Sequence, residues 1–125
     1  MTIGKVVDAS AVAAILFNEP EGDQVARELE GHALVAPTLL DYELANICWK
    51  KCRRDPTRQD TYLTACGLRG DLAIETAPVD QAAVLALALE TGLTVYDASY
   101  VWLSRALSAD LITLDASIRR VLAAT

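Results

Sequence analysis

The sequence predicts an α/β fold organised around a parallel sheet, and three observations carry that prediction. Short apolar runs alternate with segments of helical periodicity along the chain, the pattern left by strand–helix–strand units. Asp-Ala-Ser closes such a run at three distant places, Asp8-Ala9-Ser10, Asp97-Ala98-Ser99 and Asp115-Ala116-Ser117. Ligands of parallel sheets sit beyond the carboxyl ends of the strands, so this recurrence lets three carboxylates meet at one edge. Finally, 125 residues that are 53% hydrophobic suit one domain, spanning 1–125, with a proper core and no room for a second.

Taken in order, residues 3–7 read as a strand and Ser10 as the cap of a helix through about Phe17, which puts Asp8 at the junction. An Asp or Ser between strand and helix is also a preferred N-cap, and capping accounts for the serines. Residues 23–30 form an exposed helix with Val25 and Leu29 on one face, and Gly31 is a good residue to follow its end. Residues 34–36 make a short buried strand. Pro37-Thr38 opens the next helix, with Thr38 and Asp41 at capping-box spacing. Leu40, Leu44, Ile47 and Cys48 form its apolar stripe, and Glu43 falls at the edge of that stripe with Asn46 one turn on.

Asp55-Pro56 supplies a cap and first-turn pair for a helix over 57–68, completing a helical hairpin. Residues 72–77 read as a strand, and Asp80 opens an Ala/Leu-rich helix that Gly92 ends. That helix is apolar nearly all round, which suits burial or a subunit contact. Residues 94–96 read as the central strand, followed by a helix from Ser99 or Tyr100 to Leu107, a strand over 111–114 and a terminal helix over 117–123.

Clustered carboxylates need a reason. Two of them about 4 Å apart repel by about 4 kcal/mol at an effective dielectric of 20, so a cluster must be protonated, well solvated or neutralised by a cation. Ligands that offer only oxygen point to Mg²⁺ or Mn²⁺. Cys48, Cys52 and Cys66 lack metal-ligand spacing with the sole histidine, His32, so zinc is not expected and free thiols in a reducing, cytoplasmic setting are. No run approaches the roughly 20 apolar residues of a membrane span. The net charge of −6 and pI near 4.6 argue against a generic nucleic-acid binder held by an overall positive field. Lys50, Lys51, Arg53, Arg54 and Arg58 nevertheless concentrate nearly half of the 11 basic residues in one segment, which is a candidate phosphate contact.

These residues resemble the PIN domains, and within them the VapC-like ribonuclease toxins of type II toxin–antitoxin pairs. The resemblance rests on Val7-Asp8-Ala9-Ser10, Glu43 with Asn46, the 96–103 segment Tyr-Asp-Ala-Ser-Tyr-Val-Trp-Leu, and Ile112-Thr113-Leu114-Asp115, in that order and spacing. Ser104 departs from the small apolar residue more usual in the family. The resemblance implies a three-layer α/β/α domain with a central parallel sheet of four or five strands flanked by helices. It implies an acidic quartet, Asp8, Glu43, Asp97 and Asp115, holding Mg²⁺ or Mn²⁺, an endoribonuclease activity on RNA, a homodimer and a cognate antitoxin. With no well-placed histidine, a metal-bound water is the plausible nucleophile. Asp8 and Asp97 are the expected direct ligands, Glu43 and Asp115 complete the shell or orient the water, and Ser10, Asn46 and Thr113 support them. Two rival readings are a PIN-like module that binds without cutting, and a phosphoacceptor receiver domain. The receiver is disfavoured because Asp8 stands alone and no lysine follows Lys51.

Overall fold

A parallel sheet needs crossover helices, and the element order supplies them. The computed structural model describes residues 4–124; Ile3, the expected start of the first strand, lies outside the described residues. Strand β1 (Lys5–Val7) leads into helices α1 (Ala9–Leu16) and α2 (Gly22–Leu29), then β2 (Leu34–Pro37). Helices α3 (Leu40–Arg54) and α4 (Gln59–Gly67) form a hairpin through a 3₁₀ turn at Pro56–Arg58, and a second 3₁₀ turn at Leu68–Asp71 precedes β3 (Ile74–Ala77). Helices α5 (Gln81–Thr91) and α6 (Val95–Leu107), strand β4 (Asp110–Ile112) and helix α7 (Ala116–Ala123) complete the fold.

The four strands are all parallel, in the order β3-β2-β1-β4, and helices flank the sheet in a three-layer α/β/α arrangement. The register sets Val6 against Val35 on one side and against Leu111 on the other. The chain steps outward from β1 to β3, then crosses back to place β4 on β1's other side. With right-handed crossovers, α1 to α4 cover one face and the α5–α6 pair the other. The strand order separates this fold from the receiver reading, whose doubly wound order 2-1-3-4-5 has β1 between β2 and β3. The core is built from Val6, Val7 and Ala36 on the strands with Val12, Leu40, Leu44, Val84, Val101 and Ile118 on the helices.

Local chemistry sets most boundaries. Gly92 adopts φ +79° just past α5, the left-handed end that glycine accepts without strain. Gly22 is required by contact instead: a Cβ there would meet the backbone carbonyl oxygen of Ala14 well inside contact distance. Asp80 caps α5, its carboxylate accepting from the Ala83 N–H at 3.1 Å.

Four expectations need correction. Residues 94–96 are not a strand. Only Gly92, Leu93 and Thr94 separate α5 from α6, too few for one, and the Thr94 hydroxyl caps α6 by accepting from the Asp97 N–H at 3.1 Å. Asp97 therefore projects from the first turn of a helix, and the sheet's centre is β1 and β2. Secondly, Asp8 and Asp115, not Ser10 and Ser117, cap the helices that follow them, accepting from Ala11 N–H at 3.0 Å and Ile118 N–H at 2.9 Å. Thirdly, the Thr38–Asp41 capping box does not form; Asp41 pairs with Arg69 at 2.8 Å and the first helical turn starts behind Leu39. Lastly, the Asp55 carboxylate caps no backbone N–H and accepts instead from the Thr57 hydroxyl.

Candidate active site

Asp8 and Asp115 sit where the chain leaves β1 and β4, the adjacent pair at which strand order reverses direction. That crevice is where an open parallel sheet binds its ligands. Glu43 enters from the α3 layer and Asp97 from the α6 layer. The four carboxylates, with Ser10, Ile47 and Tyr100, line one pocket of about 170 Å³.

Each acid is held differently. Asp8 is 3% exposed and accepts from three donors: the Ala11 N–H, the Ser10 hydroxyl at 2.7 Å, and the Thr113 hydroxyl on its other oxygen. Ser10 also accepts from the Leu114 N–H at 2.9 Å, and Thr113 from the Asp115 N–H at 3.0 Å. One network thus ties the ends of β1 and β4 together. Glu43 accepts from the Tyr100 hydroxyl at 2.6 Å. The Asp97 carboxylate makes no hydrogen bond or ion pair among the described residues.

The electrostatics report crowding. Burial pushes the Asp8 carboxyl above the ordinary range; the bonds from Thr113, Ala11 and Ser10 pull it back, and the charge of Asp115 adds to the rise. Burial likewise raises Glu43 against the pull of Tyr100, with Asp97, Asp8 and Asp115 contributing. Asp97 is raised by burial and then by Asp115 and Asp8. The Tyr100 phenol, buried and facing Glu43, is held far on the protonated side, so it donates to Glu43 at any ordinary pH.

No cationic side chain lines this pocket, and like charges gathered in partial burial favour an outside cation. The donors are oxygens alone, which suits Mg²⁺ or Mn²⁺. Among the described residues no three acids close into a ready-made metal cage. Mg²⁺ tolerates that arrangement because it binds through one or two carboxylates and keeps several waters.

Of the supporting residues, Ser10 and Thr113 belong to the Asp8 network, whereas Asn46 is exposed and lines neither this pocket nor its neighbour. The basic segment divides. Lys50, Lys51 and Arg54 line a larger groove that shares Ser10 and Ile47 with the acidic pocket. Arg53 lies over the Trp49 ring and Arg58 over the Tyr62 ring. Two residues given no role by sequence reasoning also reach the site: Tyr100 and Arg119, the latter a groove residue whose Nε donates to the Thr113 carbonyl at 2.9 Å. The i+4 spacing of Arg119 from Asp115 was the one available signal.

A parallel α/β/α sheet with four acids from four segments converging beyond its strand ends defines the class: a carboxylate-site protein of the three-layer type. The chain belongs to the PIN-domain family, whose model matches residues 5–123. It is 37% identical over 115 residues to Ribonuclease VapC3 of Pyrobaculum aerophilum, covering 88% of each chain. It is 33% identical over 110 residues to VapC ribonuclease Mb0985 of Mycobacterium bovis, covering 88% of this chain and 84% of that protein. A solved structure, PAE2754 from Pyrobaculum aerophilum, superposes with a TM-score of 0.68 at 26% identity, covering 96% of this chain and 86% of the other.

Proposed function

We propose that this protein is a VapC-like ribonuclease toxin that hydrolyses RNA phosphodiester bonds with Mg²⁺ or Mn²⁺ and is silenced by a cognate antitoxin. The observation that carries this reading is the convergence of Asp8, Glu43, Asp97 and Asp115 on one pocket. Relatives named VapC ribonucleases, matched over most of their length, support it. A divalent ion held by these acids would supply positive charge at the phosphoryl oxygens and activate water for attack.

The chain's own groups do the rest. Asp8, fixed by three donors, and Asp97, whose carboxylate has no partner among the described residues, would hold the ion directly. Glu43 and Asp115 complete the shell, and the Tyr100 hydroxyl aims the Glu43 carboxylate into the pocket. Ser10 and Thr113 hold Asp8 in its rotamer, and the partial burial of the acids restricts bulk water around them. Because the molecule as a whole is acidic, RNA is drawn in by local charge: Lys50, Lys51 and Arg54 supply it on the groove wall.

The same reading includes a homodimer and a cytoplasmic protein. Exposed Leu85 and Leu89 on α5 and Tyr42 and Trp49 on α3 offer apolar area for subunit or antitoxin contact. No single described helix is long and apolar enough to cross a membrane.

The test is cleavage of a mixed cellular RNA by the purified chain, with EDTA and with Mg²⁺ or Mn²⁺ restored, followed by sequencing of new 5′ ends. Cleavage that EDTA stops and the ion restores supports the reading. RNA that stays intact in every arm, while the protein still binds RNA, favours the non-catalytic module.

A further inference from the structure

We infer that Arg119 grips one RNA phosphate beside the bond that is cut, and so sets the register of the strand against the acidic pocket. This rests on the ribonuclease reading and adds a residue and a substrate contact to it. The groove next to the acidic pocket has a volume of about 460 Å³ and is lined by four cations, Lys50, Lys51, Arg54 and Arg119, against two acids, Glu19 and Glu21. In a chain of net charge −6 that is a local excess of positive charge, and it adjoins the carboxylates.

The four cations are not equivalent. Lys51 is committed to Glu19 at 3.9 Å and to the faces of Phe17 and Tyr62. Lys50 and Arg54 stand one turn apart on α3 with no ion-pair partner among the described residues. Arg119 is exposed, has no carboxylate partner among the described residues, and lies in the first half of α7, where the helix dipole disfavours a cation. Its one side-chain hydrogen bond among the described residues runs to a backbone carbonyl rather than to a carboxylate.

Its anchoring points to a role. The Arg119 Nε donates to the carbonyl of Thr113, the residue whose hydroxyl donates to Asp8. The guanidinium is thereby fixed relative to the acid, and its two Nη groups are left for a ligand. A planar, pre-oriented fork with free donors fits a phosphate bidentately, which an ammonium cannot do. A phosphate held there keeps its neighbour at a set distance from the carboxylates, and such positioning lowers the entropic barrier to reaction.

The experiment uses a short RNA containing one mapped cleavage site, with single methylphosphonate linkages placed in turn at each position around it. Wild type, Arg119→Gln and Arg119→Lys are compared in Mn²⁺ over a salt series. Arg119→Gln is expected to raise KM roughly tenfold with a smaller change in kcat, and to flatten the dependence of log kcat/KM on log salt by about 0.7. At one linkage, neutralisation costs wild type roughly tenfold and the Gln variant nothing further; Arg119→Lys recovers the salt slope without the full affinity. Equal losses by wild type and both variants at every linkage, or an unchanged KM and slope, overturn the inference. A wild type that cuts no RNA at all instead defeats the ribonuclease reading.

Discussion

Asp97 and Asp8 carry the same side chain, yet their replacements are expected to diverge. Asp97 makes no hydrogen bond through its carboxylate and is raised by burial and by Asp115 and Asp8, so Asp97→Asn removes one of the crowded charges without breaking a contact. RNA cleavage should fall at least a hundredfold, while the melting temperature of the metal-free variant in EDTA stays level or rises. The sign of the pH dependence follows from linkage. A carboxyl raised in the fold costs stability when ionised in both states, and that cost disappears as pH falls through the folded value toward the ordinary 3.8. The stability advantage of Asp97→Asn in EDTA should therefore be largest near neutrality and shrink on acidification, as melts across pH 8 to 4 would reveal. Asp8→Ala, by contrast, loses a helix cap and orphans the Ser10 and Thr113 donors, with an expected cost of about 1–3 kcal/mol in urea titration. Tyr100→Phe keeps the packing but frees the Glu43 carboxylate. Mn²⁺ affinity should drop about tenfold by calorimetry, the size usual for a lost partner of a ligand. Sequence singled out the four acids as motif positions but set Asp97 at a strand end rather than in a helix's first turn; Tyr100 was hidden because an aromatic on a helix reads as core, and its hydroxyl meets Glu43 only across the fold.

At the level of elements, α2 meets α1 at Gly22 with no room for a Cβ. Gly22→Ala should cost about 1–3 kcal/mol by urea unfolding, because the obstructing atom is the Ala14 backbone oxygen, which cannot rotate away. Helix α6 carries a different lesson. Thr94 and Asp97 have capping-box spacing, as do Thr38 and Asp41, but only Thr94 makes its cap. Local sequence could not separate the two. Asp41 is drawn off by Arg69, a residue 28 positions away, whereas nothing competes for Thr94. The same ambiguity hid α6's start, since Leu93-Thr94-Val95-Tyr96 has the composition of a strand and only the nearness of Gly92, which ends α5, leaves no room for one.

For the molecule as a whole, an acidic protein handling RNA depends on where its cations face. Five basic residues cluster in 50–58, but Lys50, Lys51 and Arg54 turn to the groove while Arg53 and Arg58 cover aromatic rings. Reversing Lys50 and Arg54 to Glu should lower cleavage about tenfold or more at 150 mM salt and flatten its salt dependence. Reversing Arg53 and Arg58 should have a clearly smaller effect in the same assay. Equal losses from both pairs would mean that net charge, not the groove, governs RNA capture.

What the sequence determined by itself was the alternation of apolar runs with helical segments, the acids at their ends, and hence a parallel α/β sheet with a carboxylate edge. Those are local signals: hydrophobic period and residue type survive in the linear order. Which layer delivers each acid was decided in three dimensions, with Asp97 arriving on a helix and Asn46 turned outward. So was the division of the basic cluster, and so was the tie from Arg119 through Thr113 to Asp8. A helix's rotation and a side chain's partner are set by packing against elements distant in sequence, and no stretch of the chain encodes them alone.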